Sequence, residues 1–254
     1  MKIQYASDLH IEFHDNGRWL KENPLIPVGE ILVLAGDIGY LGDEMYSNHP
    51  FWRWCSDNFS DTYVVPGNHE LYKRYDINSL TGGFSKDVLS NVHVVYNKVI
   101  PLSGDIELIA STLWSHIENS DAYYVENGVS DFRRIMDGER PLSWLRFNAE
   151  HESCKAFICD SVKSNKARNI VVVTHHVPSY GLLSDDFRNS RINGAFTSNL
   201  DDMIMELRIN YWIYGHSHRN IDKKIYNTNF VSNQLGYVFA NEHTTFNRNK
   251  YIEI

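Results

Sequence analysis

The sequence predicts an α/β fold with mostly buried sheets, and three observations carry the prediction. Short apolar runs of four to six residues stop abruptly at polar or glycine-containing segments. Those runs are rich in β-branched and aromatic residues, the composition of strands covered on both faces. Between them lie segments whose apolar residues recur every three or four positions, the spacing of helices with one buried face.

In chain order, the runs at 1–6, 31–35, 62–65, 107–110, 170–173 and 211–214 predict strands. A helix with aromatic residues on much of its surface is expected over 44–59. Trp144, Phe147, His151, Cys154, Ile158 and Val162 form an apolar stripe that predicts a second helix. Leu200, Met203, Ile204 and Leu207 predict a third, with Ser198 or Asn199 as its N-cap. Late in the chain, 223–226, 229–232 and 237–239 read as short strands joined by Asn- and Gly-containing turns, a more antiparallel part of the core. The stretch 115–140 is the least regular and is expected to form a functional loop. Without repeats, low-complexity tracts or a Pro- or Ser-rich linker, residues 1–254 read as a single domain.

Composition narrows the function classes. Hydrophobic residues make up 43% of the chain, an ordinary globular share. The formal net charge of −8 repels a phosphate backbone and disfavours nucleic acid as a partner. Bound cations would reverse that field locally. Cys55, Cys154 and Cys159 form no C-x-x-C pair, so neither a disulfide framework nor a structural zinc site is expected. The N-terminus has no signal-peptide apolar run, and no stretch approaches the roughly 20 apolar residues of a membrane span. A soluble cytoplasmic protein is the expectation, with no membrane partner.

The chemistry sits where the runs end. Asp8 and His10 follow the first, Asp37 the second, and Asn68 and His69 the third. His175 follows 170–173, and His216 and His218 follow 211–214. Loops beyond the carboxyl ends of strands are where open α/β sheets bind ligands, so these eight residues can converge on one edge. Imidazole and carboxylate together suit borderline divalent ions. Four His, two Asp and one Asn exceed the four ligands of one structural zinc, whereas two ions sharing a carboxylate use all seven. Gly36, Gly67 and Gly215 would let the backbone approach the ions, and neutral Asn68 would ligate without adding charge. A lone D-x-H or G-D arises by chance, but G-N-H-E and G-H-x-H at strand ends have no packing role.

Together, D-x-H at 8–10, G-D at 36–37, G-N-H-E at 67–70, His175 and G-H-x-H at 215–218 resemble the calcineurin-like metallophosphoesterases. The resemblance spans residues 8–218 and implies a two-sheet β-sandwich flanked by helices. It implies that Asp8, His10 and His218 bind one ion and Asn68, His175 and His216 the other, with Asp37 bridging. It also implies that His69 faces the substrate as the acid for the leaving group, and that the nucleophile is a metal-bridging hydroxide. The ions would be two divalent metals among Mn, Fe, Zn, Ni and Co, and the substrate a phosphomonoester or phosphodiester, with a nucleotide or other small phosphoester favoured. Ser130-Asp131-Phe132-Arg133 resembles a D-F-R segment of some bacterial members, which would set the Arg133 guanidinium on a substrate phosphate. The alternative for Arg133 is a surface pair with Asp131 or Asp137. His176, next to His175 on an extended segment, is expected to point away from the ions.

Two other functions compete. The protein-phosphatase branch carries G-D-x-x-D-R-G, whereas this chain reads Gly36-Asp37-Ile38-Gly39-Tyr40-Leu41-Gly42, without that Asp and Arg. Scaffold relatives have lost key histidines, and here all seven ligands and His69 are present.

Overall fold

The structure, a computed structural model, describes residues 1–184, 187 and 189–254. Two six-stranded mixed sheets stack face to face. The first runs β14(Tyr251–Glu253)-β1(Lys2–Ala6)-β2(Ile31–Leu34)-β3(Asp61–Val64)-β5(Val92–Tyr96)-β4(Phe84–Leu89). The second runs β12(Lys223–Ile225)-β13(Thr228–Ser232)-β11(Tyr211–Tyr214)-β10(Asn169–Thr174)-β7(Ile106–Ser111)-β6(Lys98–Ser103). Inner neighbours are parallel, and the edge strands β14, β4, β12 and β6 pair antiparallel.

The period-two alternation of strands sorts the core into three layers. Ile31 and Val33 of β2, Leu108 and Ala110 of β7, and Val171 and Val173 of β10 fill the space between the sheets. Their neighbours Leu32 and Leu34 face outward to α2 (Pro50–Asn58), which covers the first sheet with Trp52 and Cys55. Ile170 and Val172 face outward on the second sheet, against Ile158 and Val162 of α5 (Trp144–Ser164) and Ile204 of α6 (Asp201–Glu206). This is why the central strands read as continuous apolar runs: both of their faces are buried. Truncating one such side chain to Ala costs about 2–5 kcal/mol.

Several expectations are corrected. Residues 237–239 are not a strand, and Val238–Ala240 form a turn of 3₁₀ helix. Their backbone donors go to side chains instead of a ladder: the Tyr237 N–H donates to Glu242 Oε2 (2.7 Å) and the Val238 N–H to Asn16 Oδ1 (3.1 Å). The helix expected over 44–59 starts only at Pro50, where His49 caps it by accepting from the Phe51 N–H. In the third helix Leu200 occupies the cap position, while Asn199 accepts from the Asp201 N–H at 3.3 Å. The irregular stretch 115–140 holds α3 (Ala122–Gly128), α4 (Asp131–Arg134) and the β8(Met136–Asp137)–β9(Arg140–Pro141) pair. Strands β4, β5, β6 and β14 and helix α1 (His14–Glu22) have no counterpart in the expectations. Strand β4, for one, is an edge whose residues are only partly buried or exposed, so no apolar run marks it. Among the described residues no helix is long and apolar enough to cross a membrane.

Candidate metal centre

The parallel strands β1, β2, β3, β10 and β11 end on one edge, and each delivers its polar residues there. Asp8, His10, Asp37, Asn68, His69, His175 and His216 are buried, and the His218 side chain is 11% exposed. Five of these residues have left-handed backbone: Asp8 (φ 54°), His10 (47°), Asp37 (55°), His216 (71°) and His218 (50°). Each costs of order 1–3 kcal/mol, strain that surrounding contacts must hold in place. The glycines serve mainly by leaving space. A Cβ at Gly36, itself at φ 88°, would run into the His175 ring, and one at Gly67 into Asp37 Oδ1.

Glu70 is the clamp beneath these loops. Its carboxylate accepts from the N–H groups of Asp37 (2.8 Å), Ile38 (2.7 Å), Gly39 (3.2 Å) and Gly67 (2.7 Å), joining the loops after β2 and β3. Burial and the Asp37 charge push its carboxyl up to about 7, against the pull of these donors.

Two sets of donor atoms converge on Asp37. On one side, His10 Nε2 lies 3.2 Å from His218 Nε2 and 3.9 Å from Asp37 Oδ2, and His218 Nε2 lies 3.4 Å from Asp8 Oδ1. On the other, His175 Nε2 lies 3.0 Å from Asn68 Oδ1, 3.1 Å from His216 Nδ1 and 3.3 Å from Asp37 Oδ1. Asp8, His10 and His218 form one group able to hold a metal ion, and Asp37, His175 and His216 another. A third group, His10, Asp37 and His69, overlaps the first, with His69 Nε2 4.0 Å from Asp37 Oδ2.

The surroundings of the imidazoles favour the tautomers that a cation needs. The far nitrogen of each meets an oxygen acceptor: His10 Nδ1 with Glu12 (3.1 Å), His218 Nδ1 with Glu242 (2.6 Å), His175 Nδ1 with the Ala35 carbonyl (2.8 Å) and His216 Nε2 with the Ala195 carbonyl (3.2 Å). With the proton on that outer nitrogen, the inner nitrogen presents its lone pair to the centre. Asn68 is oriented the same way. Its amide N–H donates to Asp131 Oδ1 (2.9 Å), which turns the amide oxygen inward, and the Tyr72 hydroxyl donates to the same Asp131 oxygen (2.7 Å). The residues therefore fit divalent cations.

Without cations, protons take up part of this field. Burial lowers the basicity of His218, but hydrogen bonds to Asp8 and Glu242 outweigh it and lift the ring to about 10. Against the same penalty the Asp37 charge lifts His175 to about 9, whereas burial and the His175 charge push His216 down to about 3. Burial raises the Asp37 carboxyl, but His175 and His69 prevail and hold it well below the usual range.

His69 sits among aromatic rings. Tyr72 (4.2 Å between centroids), Phe13 (6.1 Å), Tyr40 (6.3 Å) and Tyr237 (6.3 Å) surround it. Its Nδ1 lies 2.9 Å from Glu12 Oε1 and its Nε2 3.3 Å from the Tyr237 hydroxyl. Burial lowers its basicity, and the Asp37 charge and Glu12 hydrogen bond more than reverse this, leaving it above the ordinary histidine value.

Arg133 is not brought to the centre. It is exposed, and its guanidinium donates to the Asn127 carbonyl (2.9 Å). The neighbouring Arg134 instead lies 4.2 Å over the Tyr72 ring. The same D-F-R segment reaches the centre through Asp131. His176 lies outside all three donor groups, packed 4.3 Å from the His216 ring and 5.3 Å from Trp114. Both of its ring nitrogens are buried without a hydrogen-bond partner, and burial and its His216 and His175 neighbours push its basicity well below the ordinary histidine value. Glu12, Glu242, Glu70, Asp131, Tyr72 and Tyr237 were not expected here. Glu12 continues the two-residue spacing of Asp8 and His10, Glu70 closes the G-N-H-E motif and Asp131 opens the D-F-R segment, whereas Glu242, Tyr72 and Tyr237 had no local signal.

Known proteins resemble this chain in sequence or in fold. A mimivirus protein described as uncharacterized protein L509 (Acanthamoeba polyphaga mimivirus) is 31% identical over 285 residues, covering 99% of this chain and 96% of the relative. The phosphopantetheinyl hydrolase PptH of Mycobacterium tuberculosis superposes with a TM-score of 0.68 at 17% identity, covering 99% of this chain and 95% of that one. A putative 5'-nucleotidase of Staphylococcus aureus aligns with 91% of this chain and 48% of its own, at 16% identity and a TM-score of 0.48. The family model for calcineurin-like phosphoesterases matches residues 1–220, a span that contains every donor of the two half-sites, and the chain belongs to that family.

Proposed function

We propose that this chain, as one domain over residues 1–254, hydrolyses a small phosphoester, a nucleotide or similar compound, using two divalent cations. Asp8, His10 and His218 would hold one and Asn68, His175 and His216 the other, with Asp37 between them. One observation carries the reading: the two oxygens of Asp37 face two separate sets of inward nitrogens, Oδ2 towards His10 and Oδ1 towards His175. When bound, the ions supply Lewis acidity towards the phosphoryl oxygens and acidify water towards neutrality.

The chain's own residues do the rest. His69 would hold a proton on Nε2, where the Tyr237 hydroxyl lies 3.3 Å away, and deliver it to the leaving oxygen. Tyr72, Tyr40 and Phe13 exclude water around that ring, which strengthens the electrostatics of the transfer. The acidic balance of the chain favours a small ester over nucleic acid.

A screen of metal-reconstituted protein tests this. Nucleoside monophosphates, cyclic and linear diesters and a phosphopantetheinyl ester would be compared, with His69→Ala as control. Turnover of at least one class, reduced about 10²–10⁴-fold in His69→Ala, is expected. No turnover of any ester by a sample that carries its ions, or full activity in the variant, would refute it.

A further inference from the structure

Glu12 has no assigned place in the chemistry, yet among the described residues it is the one side chain that touches both His10 and His69 through their outer nitrogens. Its Oε1 lies 3.1 Å from His10 Nδ1 and 2.9 Å from His69 Nδ1. Its side chain is 7% exposed, and its Oε2 is buried without a hydrogen-bond partner. A buried carboxylate is costly unless paired, so a fold that keeps one spends it on whatever it touches. Here that is two imidazoles and no other hydrogen-bond partner among the described residues.

The consequence is geometric. Each ring donates its Nδ1–H to the same oxygen, so each must aim Nε2 at the centre. The two Nε2 atoms arrive 3.9 Å (His10) and 4.0 Å (His69) from one atom, Asp37 Oδ2. The rings meet edge to face with centroids 4.4 Å apart. An imidazole that lost its Nδ1 acceptor could rotate about χ2 and present carbon to the substrate.

We propose that Glu12 is a positioning residue that ties the acid to the metal site. By holding His69 and His10 on one oxygen, it sets where the leaving-group proton sits relative to the ion on the Asp8 side. The inference rests on the reading of His69 as acid and His10 as ligand. The brace comes from the loop after β1, four residues beyond Asp8.

The test is a double-mutant cycle of Glu12→Leu and His69→Ala at saturating metal, read on an alkyl phosphoester and on its p-nitrophenyl counterpart. An alkoxide needs a proton to leave and p-nitrophenolate does not. Both single variants should therefore lower kcat on the alkyl ester about 10²–10⁴-fold with little change in KM, and cost much less on the p-nitrophenyl ester. The double variant should be no worse than His69→Ala. Chelator competition, a readout independent of turnover, should find one ion bound about 10–100-fold more weakly in Glu12→Leu and the other unchanged. Glu12→Gln, which keeps an acceptor at Oε1, should recover at least tenfold of the lost kcat. If Glu12→Leu does not fold, the cycle is run with Glu12→Gln and the same non-additivity is required at smaller amplitude. A His69→Ala loss equal on both esters would overturn the acid reading itself. A normal His69→Ala pattern, with Glu12 losses that add to it or that ignore the leaving group, would overturn the role of Glu12 alone.

Discussion

Each proposed half of the centre offers two imidazoles and one oxygen donor, the Asp8 carboxylate on one side and the Asn68 amide on the other, and the two are braced differently. On the Asp8–His10–His218 side, the outer ring nitrogens are held by carboxylates, Glu12 and Glu242. On the Asn68–His175–His216 side, the rings are held by the backbone carbonyls of Ala35 and Ala195, and only the amide by a carboxylate, Asp131. A carboxylate makes an imidazole a stronger base and a stronger ligand, but also a stronger trap for protons. A carbonyl fixes direction without adding charge. The first half should therefore hold its cation with more charge around its rings and the second through fixed geometry, while each has one ring, His218 or His175, that competes with the cation by binding a proton.

The largest test of that division is the residue the halves share. Asp37→Ala should remove both ions and reduce turnover to background, as read by elemental analysis beside activity. One ion retained at full occupancy would mean that the halves are independent. Next comes Gly67→Ala, whose methyl would collide with Asp37 Oδ1 and lie 2.7 Å from His175 Nε2. A displacement near 1 Å can cost about 10²-fold in rate, so a loss of that order in a folded protein is expected. Unchanged kcat would show that the loop has slack.

Glu242→Gln and Asp131→Asn then separate the halves. Each should weaken one ion by about 10–100-fold and spare the other, with Glu242 acting through His218 and Asp131 through Asn68. Equal weakening of both ions by either variant would erase the distinction. The last test is the pH dependence. With His218 near 10 and His175 near 9, both rings carry protons at pH 7 that an ion must displace. Affinity should rise about tenfold per pH unit for each displaced proton and flatten above about pH 9–10. The first half should follow this slope to the higher pH. Calorimetry in buffers of different ionisation enthalpy counts the released protons, and uptake without proton release would contradict the protonated state of His218 and His175.

The same contrast explains what could be read in the chain. The ligands were legible because each ends an apolar run, and a strand buried on both faces stops visibly, as at Ala6, Leu34 and Val64. The braces were not. Glu242 lies 24 residues from His218 and reaches it only because the chain returns along a 3₁₀ turn after the last sheet strand of the site. Asp131 sits in a stretch with no apolar rhythm, where a short helix places it under Asn68. In that stretch Arg133 carries the more conspicuous chemistry, a guanidinium suited to a phosphate. The structure turns that side chain outward and brings in the carboxylate two residues earlier. Edge strands such as β4 stayed invisible for a related reason: a half-exposed strand mixes polar and apolar residues and loses the signal that buried strands carry.

The account stands most directly on a metal count taken together with turnover. Wild-type protein and His69→Ala, purified without chelator and reconstituted, would be assayed for ions per chain and for phosphoester hydrolysis in the same samples. Two ions per chain in both, with turnover falling about 10²–10⁴-fold in the variant, is the predicted result. One ion per fully active chain, or an ion lost with His69, would contradict it.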